Sequence, residues 1–329
     1  MFIPPSFAVA LLMVIVSAVC WGSWANTYKG TKNYRFELFY WDYAVGILLI
    51  SLILAFTMGS LHHDSTSFLP NVQAADRINI VYALIGGAIF NVANLLLVAG
   101  IDMAGLAVAF PVSIGIALVV GVVLSYVVQP KGSGVLLAIG VLLAIVAVIM
   151  DGKAYGALGS GGRVVTRKSI VVCIISGILM GMFAPFVTRA LTTGSPLGPY
   201  SIAVFFTLGA LLCCFVVNVY FMKKPLVGQP ARFEDFFKAS PRDHLLGILG
   251  GFIWGTGTVF NFVAASFTGV AISYAIGQSA PMVAALWGLF VWKEFAGSSG
   301  KATKYLVLMF FCYILAIILV AQAYTTGSS

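Results

Sequence analysis

Residues 84–108 of this chain read LIGGAIFNVANLLLVAGIDMAGLAV, and residues 248–272 echo them as ILGGFIWGTGTVFNFVAASFTGVAI. Each stretch contains a Gly-Gly pair and, nineteen residues later, a Gly-x-Ala segment. Each is also long and apolar enough to cross a hydrocarbon core of about 30 Å as a helix. The repetition indicates that the chain consists of two related halves.

The composition of the whole chain is that of a membrane protein. Of its 329 residues, 61% are hydrophobic and 9% are charged, whereas a soluble domain carries about 25% charged residues. The apolar runs are continuous and do not alternate with polar residues, so they predict helices and not the strands of a barrel. Residues 7–27 lack the basic start and the cleavage site of a signal peptide, and we interpret them as the first membrane helix.

Ten apolar stretches of this kind predict an all-α polytopic protein. The predicted spans are 7–27, 39–59, 78–101, 105–128, 134–150, 169–190, 200–222, 245–265, 270–292 and 304–323. The third and fourth spans of each half are joined by a very short turn, which predicts a tight helical hairpin in each half.

Five spans per half predict an inverted repeat, because an odd number of crossings reverses the orientation of the second half. The predicted divisions are a first repeat at 1–151, a linker at 152–168 and a second repeat at 169–329. The linker is rich in Gly but lacks the Gly-Lys-Ser/Thr ending of a phosphate-binding loop, so a flexible basic connection is the better interpretation. Inverted repeats of this type are typical of secondary transporters, whose halves rock around a midplane site.

The distribution of Lys and Arg predicts the orientation in the membrane. Fifteen of the 18 Lys and Arg residues fall on the side of the loops that follow the odd-numbered spans. By the positive-inside rule this side is cytoplasmic, so both termini are predicted to lie outside, in the periplasm of a bacterial inner membrane. The net charge of +8 then reports basic loops, and no nucleic-acid partner is expected.

No cofactor or metal site is expected. The five cysteines all fall inside predicted spans, without metal-ligand spacing, and are read as small packing residues. His62, His63 and Asp64 form a short acidic and imidazole cluster, but no second ligand group accompanies it, so a solvated loop is favoured. An intramembrane enzyme would need a paired acid, a Ser/His pair or a metal cluster, none of which the spans contain, so an enzyme is not expected.

Uncharged polar side chains inside the spans are the candidates for solute binding: Trp21, Asn91, Asn94, Trp254, Asn261, Ser273 and Gln278. Each has an alternative role, because a Trp can belong to an interfacial aromatic belt and an amide can hold two helices together. Pro281 near Gln278 and Pro111 in the related fourth span predict helix interruptions at corresponding positions, or kinks that serve packing alone. A neutral polar set predicts a small uncharged polar solute.

Asp42 is the acid that the predicted bounds leave inside a span. A carboxylate within a membrane is costly, which makes Asp42 a candidate for proton coupling or gating. The alternative is a structural salt bridge or a favourable charge near the start of its helix.

At these residues the chain resembles the drug/metabolite transporter superfamily, and within it the plant ureide permeases and the bacterial glucose/ribose porters. The motifs that carry the resemblance are Tyr40-Trp41-Asp42-Tyr43, the Gly86-Gly87 pair with Asn91 and Asn94, and the segments 269–278 and 287–295. The resemblance implies ten helices, a central cavity and uptake of small polar solutes with protons. The ureide permeases carry ureides and nucleobases and the porters carry sugars, and the chain lacks the long central loop of the former.

The sequence thus predicts a secondary active transporter, a proton-coupled symporter, for a ureide, a nucleobase or a sugar. A drug or metabolite exporter of the same superfamily is one alternative, and a membrane sensor without transport is another.

Overall fold

A computed structural model describes residues 1–32, 34–61, 66–158, 165–298 and 300–326. Within these ranges the secondary structure is helical without any strand, and ten helices are long and apolar enough to cross a membrane. This confirms the predicted all-α polytopic fold with ten spans. The helices are α1 (Phe7–Lys29), α2 (Phe36–Ser60), α3 (Arg77–Ala104), α4 (Leu106–Val128), α5 (Gly134–Gly156), α6 (Arg167–Thr192), α7 (Pro199–Lys223), α8 (Pro241–Thr268), α9 (Val270–Val291) and α10 (Gly300–Thr326).

The outward faces of these helices are apolar. Leu12, Leu142, Val216 and Phe311 are 60–73% exposed, which would be costly in water over so many positions. In a bilayer these side chains contact lipid. The protein is therefore a multi-pass membrane protein.

The two predicted hairpins each turn on a single glycine. Gly105 joins α3 to α4 with φ 78°, and Gly269 joins α8 to α9 with φ 87°. Residues with a side chain rarely adopt this conformation, so both turns depend on glycine. At the start of α8, Ser240 Oγ accepts from the Asp243 N–H at 3.2 Å and donates to the Asp243 carboxylate at 2.7 Å. Ser240 therefore caps the N-terminus of α8.

The chain forms two compact units, each of which takes helices from both halves of the sequence. Unit 1 consists of residues 1–92 and 186–267, and unit 2 consists of residues 93–185 and 268–329. Helices α3, α6 and α8 therefore contribute to both units, whereas the other helices belong to one.

In unit 1, α2 packs against α7 and crosses α8 closely. The close crossing depends on glycines spaced four apart on α8, Gly247, Gly251 and Gly255. A methyl group added at Gly251 would meet the carbonyl of Tyr43, and one added at Gly255 would meet the backbone of Ile47 at 3.2 Å. Small residues at this spacing let two membrane helices approach backbone to backbone.

In unit 2, α5 runs antiparallel along α10, and α4 packs on both α5 and α9. The start of α5 lies beside the end of α10, where the Ser133 N–H donates to the Ala323 carbonyl at 2.7 Å. At the other end, the Lys153 ammonium lies 5.8 Å from the centre of the Tyr305 ring. Three of the helix pairs that pack within units, α2 with α7, α4 with α9 and α5 with α10, are five helices apart in the chain.

Two details differ from the sequence-based expectation. Helix α5 continues to Gly156, beyond the predicted end at residue 150, because Asp151 and Lys153 do not interrupt its backbone hydrogen bonds. Asp42 is therefore not the only acid inside the described membrane helices, which also contain Glu37, Asp102, Asp151 and Asp243. Asp151 is the most buried of them, at 2% exposed. The segment His62–Asp64 lies outside the described residues, as do residues 159–164 of the linker.

Candidate functional site

A stacked pair of indoles, Trp21 on α1 and Trp254 on α8, is the centre of the candidate site in unit 1. Their ring centres lie 6.1 Å apart and their planes are inclined by 17°. The indole N–H of Trp21 donates to Thr258 Oγ1 at 3.1 Å, one turn beyond Trp254. The helices can approach this closely because Gly257 faces Ser17 and Cys20 on α1 without a side chain of its own.

Two further rings surround Trp254. Phe90 of α3 stacks on it at 4.4 Å between centres, and Tyr43 of α2 lies at 6.2 Å. We call Trp21, Tyr43, Phe90 and Trp254 the aromatic cluster. Trp254 is 6% exposed whereas Trp21 is only half-buried, so Trp21 forms the accessible edge of the cluster.

Polar groups beside the aromatic cluster are buried and incompletely paired. The side-chain oxygen of Asn91 accepts from Cys214 Sγ at 3.2 Å, but its Nδ2 has no hydrogen-bond partner. The hydroxyl of Tyr43 has none either. A buried donor left unpaired costs about 1–3 kcal/mol, so such groups are available to a ligand that can accept their hydrogen bonds.

The second predicted amide of this unit, Asn261, is paired with a serine. Nδ2 of Asn261 on α8 lies 3.4 Å from Ser17 Oγ on α1, and both side chains are buried. Asn261 therefore joins the two helices that hold the indole pair. The structure brings Trp21, Asn91, Trp254 and Asn261 together in unit 1.

The other three predicted site residues, Asn94, Ser273 and Gln278, belong to unit 2 and are buried there. Helix α9 is interrupted at Gln278 and Ser279, where a new helical segment begins with Pro281 in its first turn. This agrees with the predicted interruption. In α4, however, Pro111 lies inside a continuous helix, so the expectation of a matching break is wrong. The proline removes one backbone hydrogen bond, and the helix continues through it.

Asp42 lies in a three-residue hydrogen-bonded group. Its Oδ2 accepts from the Tyr34 hydroxyl at 2.6 Å and lies 2.9 Å from His244 Nδ1 on α8. Burial, together with the Asp42 carboxylate, raises the pKa of Tyr34 above its ordinary range, so this hydroxyl stays protonated and donates. Asp42 is nearly two turns inside α2 and does not cap it. The sequence interpretation missed both partners. Tyr34 lies in the segment before α2, where no regular spacing places it against Asp42, and His244 is 202 residues away in the chain.

Asp151 on α5 is an acid that the predicted bounds placed in the first repeat but just beyond the end of the fifth span at residue 150. It is 2% exposed and its Oδ1 has no hydrogen-bond partner. The continuous apolar run of α5 ends at Met150, so the sequence carries no clear signal that Asp151 is buried.

Comparison with known proteins relates the chain to solute permeases. Residues 163–323 match the profile of the family described as Ureide permease. Ureide permease 2 of Arabidopsis thaliana is 23% identical, with 84% of this chain and 87% of that protein aligned. The Glucose uptake protein GlcU of Bacillus subtilis (strain 168) is 23% identical, with 86% and 88% aligned.

A solved crystal structure shares the fold, with a TM-score of 0.65, 15% identity and coverage of 96% of this chain and 98% of that one. At this identity the likeness concerns the fold alone. The named relatives are transporters and not enzymes, in agreement with the expectation from the sequence. The comparisons confirm the resemblance to the ureide permeases, and to a bacterial glucose uptake protein, that the sequence motifs predict.

Proposed function

We propose that this protein is a secondary active transporter that takes up a small neutral polar solute by alternating access, with protons as the coupling ion. The observation that supports it best is the aromatic cluster with the unpaired Nδ2 of the buried Asn91 beside it. Flat stacking faces and amide donors suit a ureide or nucleobase ring, and the apolar face of a sugar also stacks on indoles. The names of the relatives, ureide permease and glucose uptake protein, support the same two solute classes.

The inverted repeat is part of this proposal. Two observations support it, namely the matching glycine turns at Gly105 and Gly269 and the packing of helices five apart in the chain. A third observation comes from Ser17 and Ser176, which occupy corresponding positions in the two halves. Ser17 on α1 contacts α8 near Gly257, and Ser176 on α6 donates to the carbonyl of Ala93 on α3, the position related to Gly257 by the repeat.

For Asp42 we propose a gating role. Its hydrogen bonds link α2, the segment before it and α8, so breaking them would free these elements from one another. Because Asp42 Oδ2 accepts from the Tyr34 hydroxyl and also lies 2.9 Å from His244 Nδ1, Asp42 suits a contact that keeps a gate closed better than it suits a free proton acceptor.

The test of transport is electrical. The protein is reconstituted in liposomes on a solid-supported membrane, and currents are recorded on addition of allantoin, uracil, glucose, ribose or rhamnose at two pH values. A pH-dependent current with one class of compound is expected. The same compounds are then offered as labelled tracers, which detects electroneutral flux.

Binding of a compound without current or flux would contradict transport and favour a sensor. Flux that occurs only outward in vesicles of known orientation would contradict uptake and favour an exporter. The Trp21→Ala variant tests the role of the aromatic cluster. If this cluster binds the solute, the variant should reduce both current and flux.

A further inference from the structure

Asp151 is a buried acid that the proposed solute site does not use. It lies on α5 within unit 2, is 2% exposed, and its Oδ1 has no hydrogen-bond partner. No ion pair to Asp151 is found among the described residues. A charged carboxylate in this position would be very costly in a membrane. The group is therefore stable there only when it binds a proton or another cation.

The groups around Asp151 are phenols and one further acid. From α10, Tyr313 interacts electrostatically with Asp151, is 1% exposed, and its hydroxyl also lacks a hydrogen-bond partner. On α5 itself, Tyr155 follows one turn later and is hydrogen-bonded to Glu294, which lies beyond α9. The cation nearest in sequence, Lys153, is exposed and lies over the Tyr305 ring, so it does not neutralise Asp151.

Tyr313 also lines a small cavity. Its walls come from α4, α5, α9 and α10, and they include Ala144, Ser279 and Tyr313. The cavity is about the size of one water molecule, and Ser279 lies at the interruption of α9. Because side chains on a helix lean toward its N-terminus, and α10 runs antiparallel to α5, Tyr313 on α10 leans from this cavity toward the level of Asp151.

We propose that Asp151 is the proton-binding carboxyl of this transporter, and that Tyr313 and Tyr155 connect it to the α9 interruption and to Glu294. The proposal rests on the proposed function as a proton-coupled carrier. One proton converts the carboxylate to a neutral carboxylic acid, and its release to Glu294 or to water restores the charge. A metal cation would need several ligands, and the described residues include no group of three His, Cys, Asp or Glu side chains that could hold one.

The first experiment observes the proton without any solute. Infrared difference spectra are recorded between neutral and alkaline pH on the purified, reconstituted protein and on three variants, Asp151→Asn, Asp151→Glu and Asp102→Asn. Exposed carboxyl groups have pKa values of about 4 and stay ionised over this range. We expect the stretching band of a protonated carboxyl group in the wild type, its loss in Asp151→Asn and a shifted band in Asp151→Glu. The exposed acid Asp102 on α3 is the matched control, and its variant keeps the band. An unchanged band in Asp151→Asn would overturn the proposal.

The second experiment separates this proposal from the proposed function. For a compound that the wild type transports, Asp151→Asn should retain exchange at equal pH but lose at least tenfold of the accumulation driven by a pH gradient. If the wild type neither accumulates nor exchanges any compound, the proposed function fails, while the infrared result on Asp151 still stands. If Asp151→Asn accumulates like the wild type, or if a sodium gradient drives uptake and this variant abolishes it, the proton assignment to Asp151 is wrong.

Discussion

Trp21 and Trp254 occupy different environments although they stack on each other. Trp254 is enclosed by the rings of Phe90 and Tyr43, whereas Trp21 is half-buried and is oriented by its hydrogen bond to Thr258. A substitution at Trp254 should therefore disturb the packing of unit 1. A substitution at Trp21 should chiefly affect the binding of a solute to the aromatic cluster. Trp21 is the better probe of solute binding.

Replacing Trp21 with Ala should raise the KM for the transported solute about tenfold, equivalent to about 1.4 kcal/mol, while Tm changes little. Trp21→Phe keeps a stacking face but loses the bond to Thr258, so we expect an intermediate KM. The measurement is tracer uptake against concentration. The control is Trp292→Ala at the end of α9, a residue 40% exposed, and equal KM values for this control and Trp21→Ala would contradict the assignment.

Asp42 and His244 should behave as an energetic pair. We expect the stability losses of Asp42→Asn and His244→Gln to be non-additive by about 1–3 kcal/mol, because either change alters the same partly buried contact between the carboxyl group and the imidazole. A double-mutant cycle on thermal unfolding in detergent measures this coupling. Strict additivity would show that the 2.9 Å contact contributes nothing to the fold.

At the scale of the helices, α8 has two roles: it packs closely against α2, and it contributes residues to the candidate site. Its glycines at 247, 251 and 255 accept the close crossing of α2, and its Trp254, Thr258 and Asn261 reach α1 and the aromatic cluster. The spacing of four residues places the glycines on one face, and the polar residues lie on the adjoining face. Packing and the candidate site are thus built by the same helix.

Gly251→Ala should destabilise the protein by about 1–3 kcal/mol, because the added methyl group meets the Tyr43 carbonyl and backbone cannot yield cheaply. Thermal unfolding in detergent provides the measurement. Gly115→Ala in α4 is the matched control, since nothing lies within 4 Å of a methyl group there, and we expect it to be neutral or slightly stabilising. Equal Tm losses in both variants would refute the close-crossing explanation.

The break in α9 gives a second prediction for an element. Gln278→Ala should raise the KM for the solute several-fold without lowering Tm, because the backbone at the break is determined by Pro281 and not by the glutamine side chain. Uptake kinetics and thermal unfolding are measured on the same preparation. A lower Tm with unchanged KM would assign Gln278 a structural role.

For the whole molecule, the uneven distribution of Lys and Arg makes the orientation testable. In a cysteine-free background, Gln73→Cys on the short helix Phe68–Ala74 should react with a membrane-impermeant thiol reagent in intact cells. Lys238→Cys on the short helix Phe233–Lys238 should react only after permeabilisation. Both positions are exposed, so the reverse pattern of labelling would overturn the proposed cytoplasmic side.

Ten helices, their bounds to within a few residues and the two glycine hairpins could all be predicted from the chain, because lipid requires long apolar helices and glycine alone accepts the turn conformation. The sequence predicted which residues are candidates for the site, but not which of them lie together. Their grouping depends on contacts between distant parts of the chain, such as Trp21 with Trp254 and Asp42 with His244. The burial of Asp151 was missed for the same reason, since a charged residue near a helix end looks solvated until the packing of α10 over it is known.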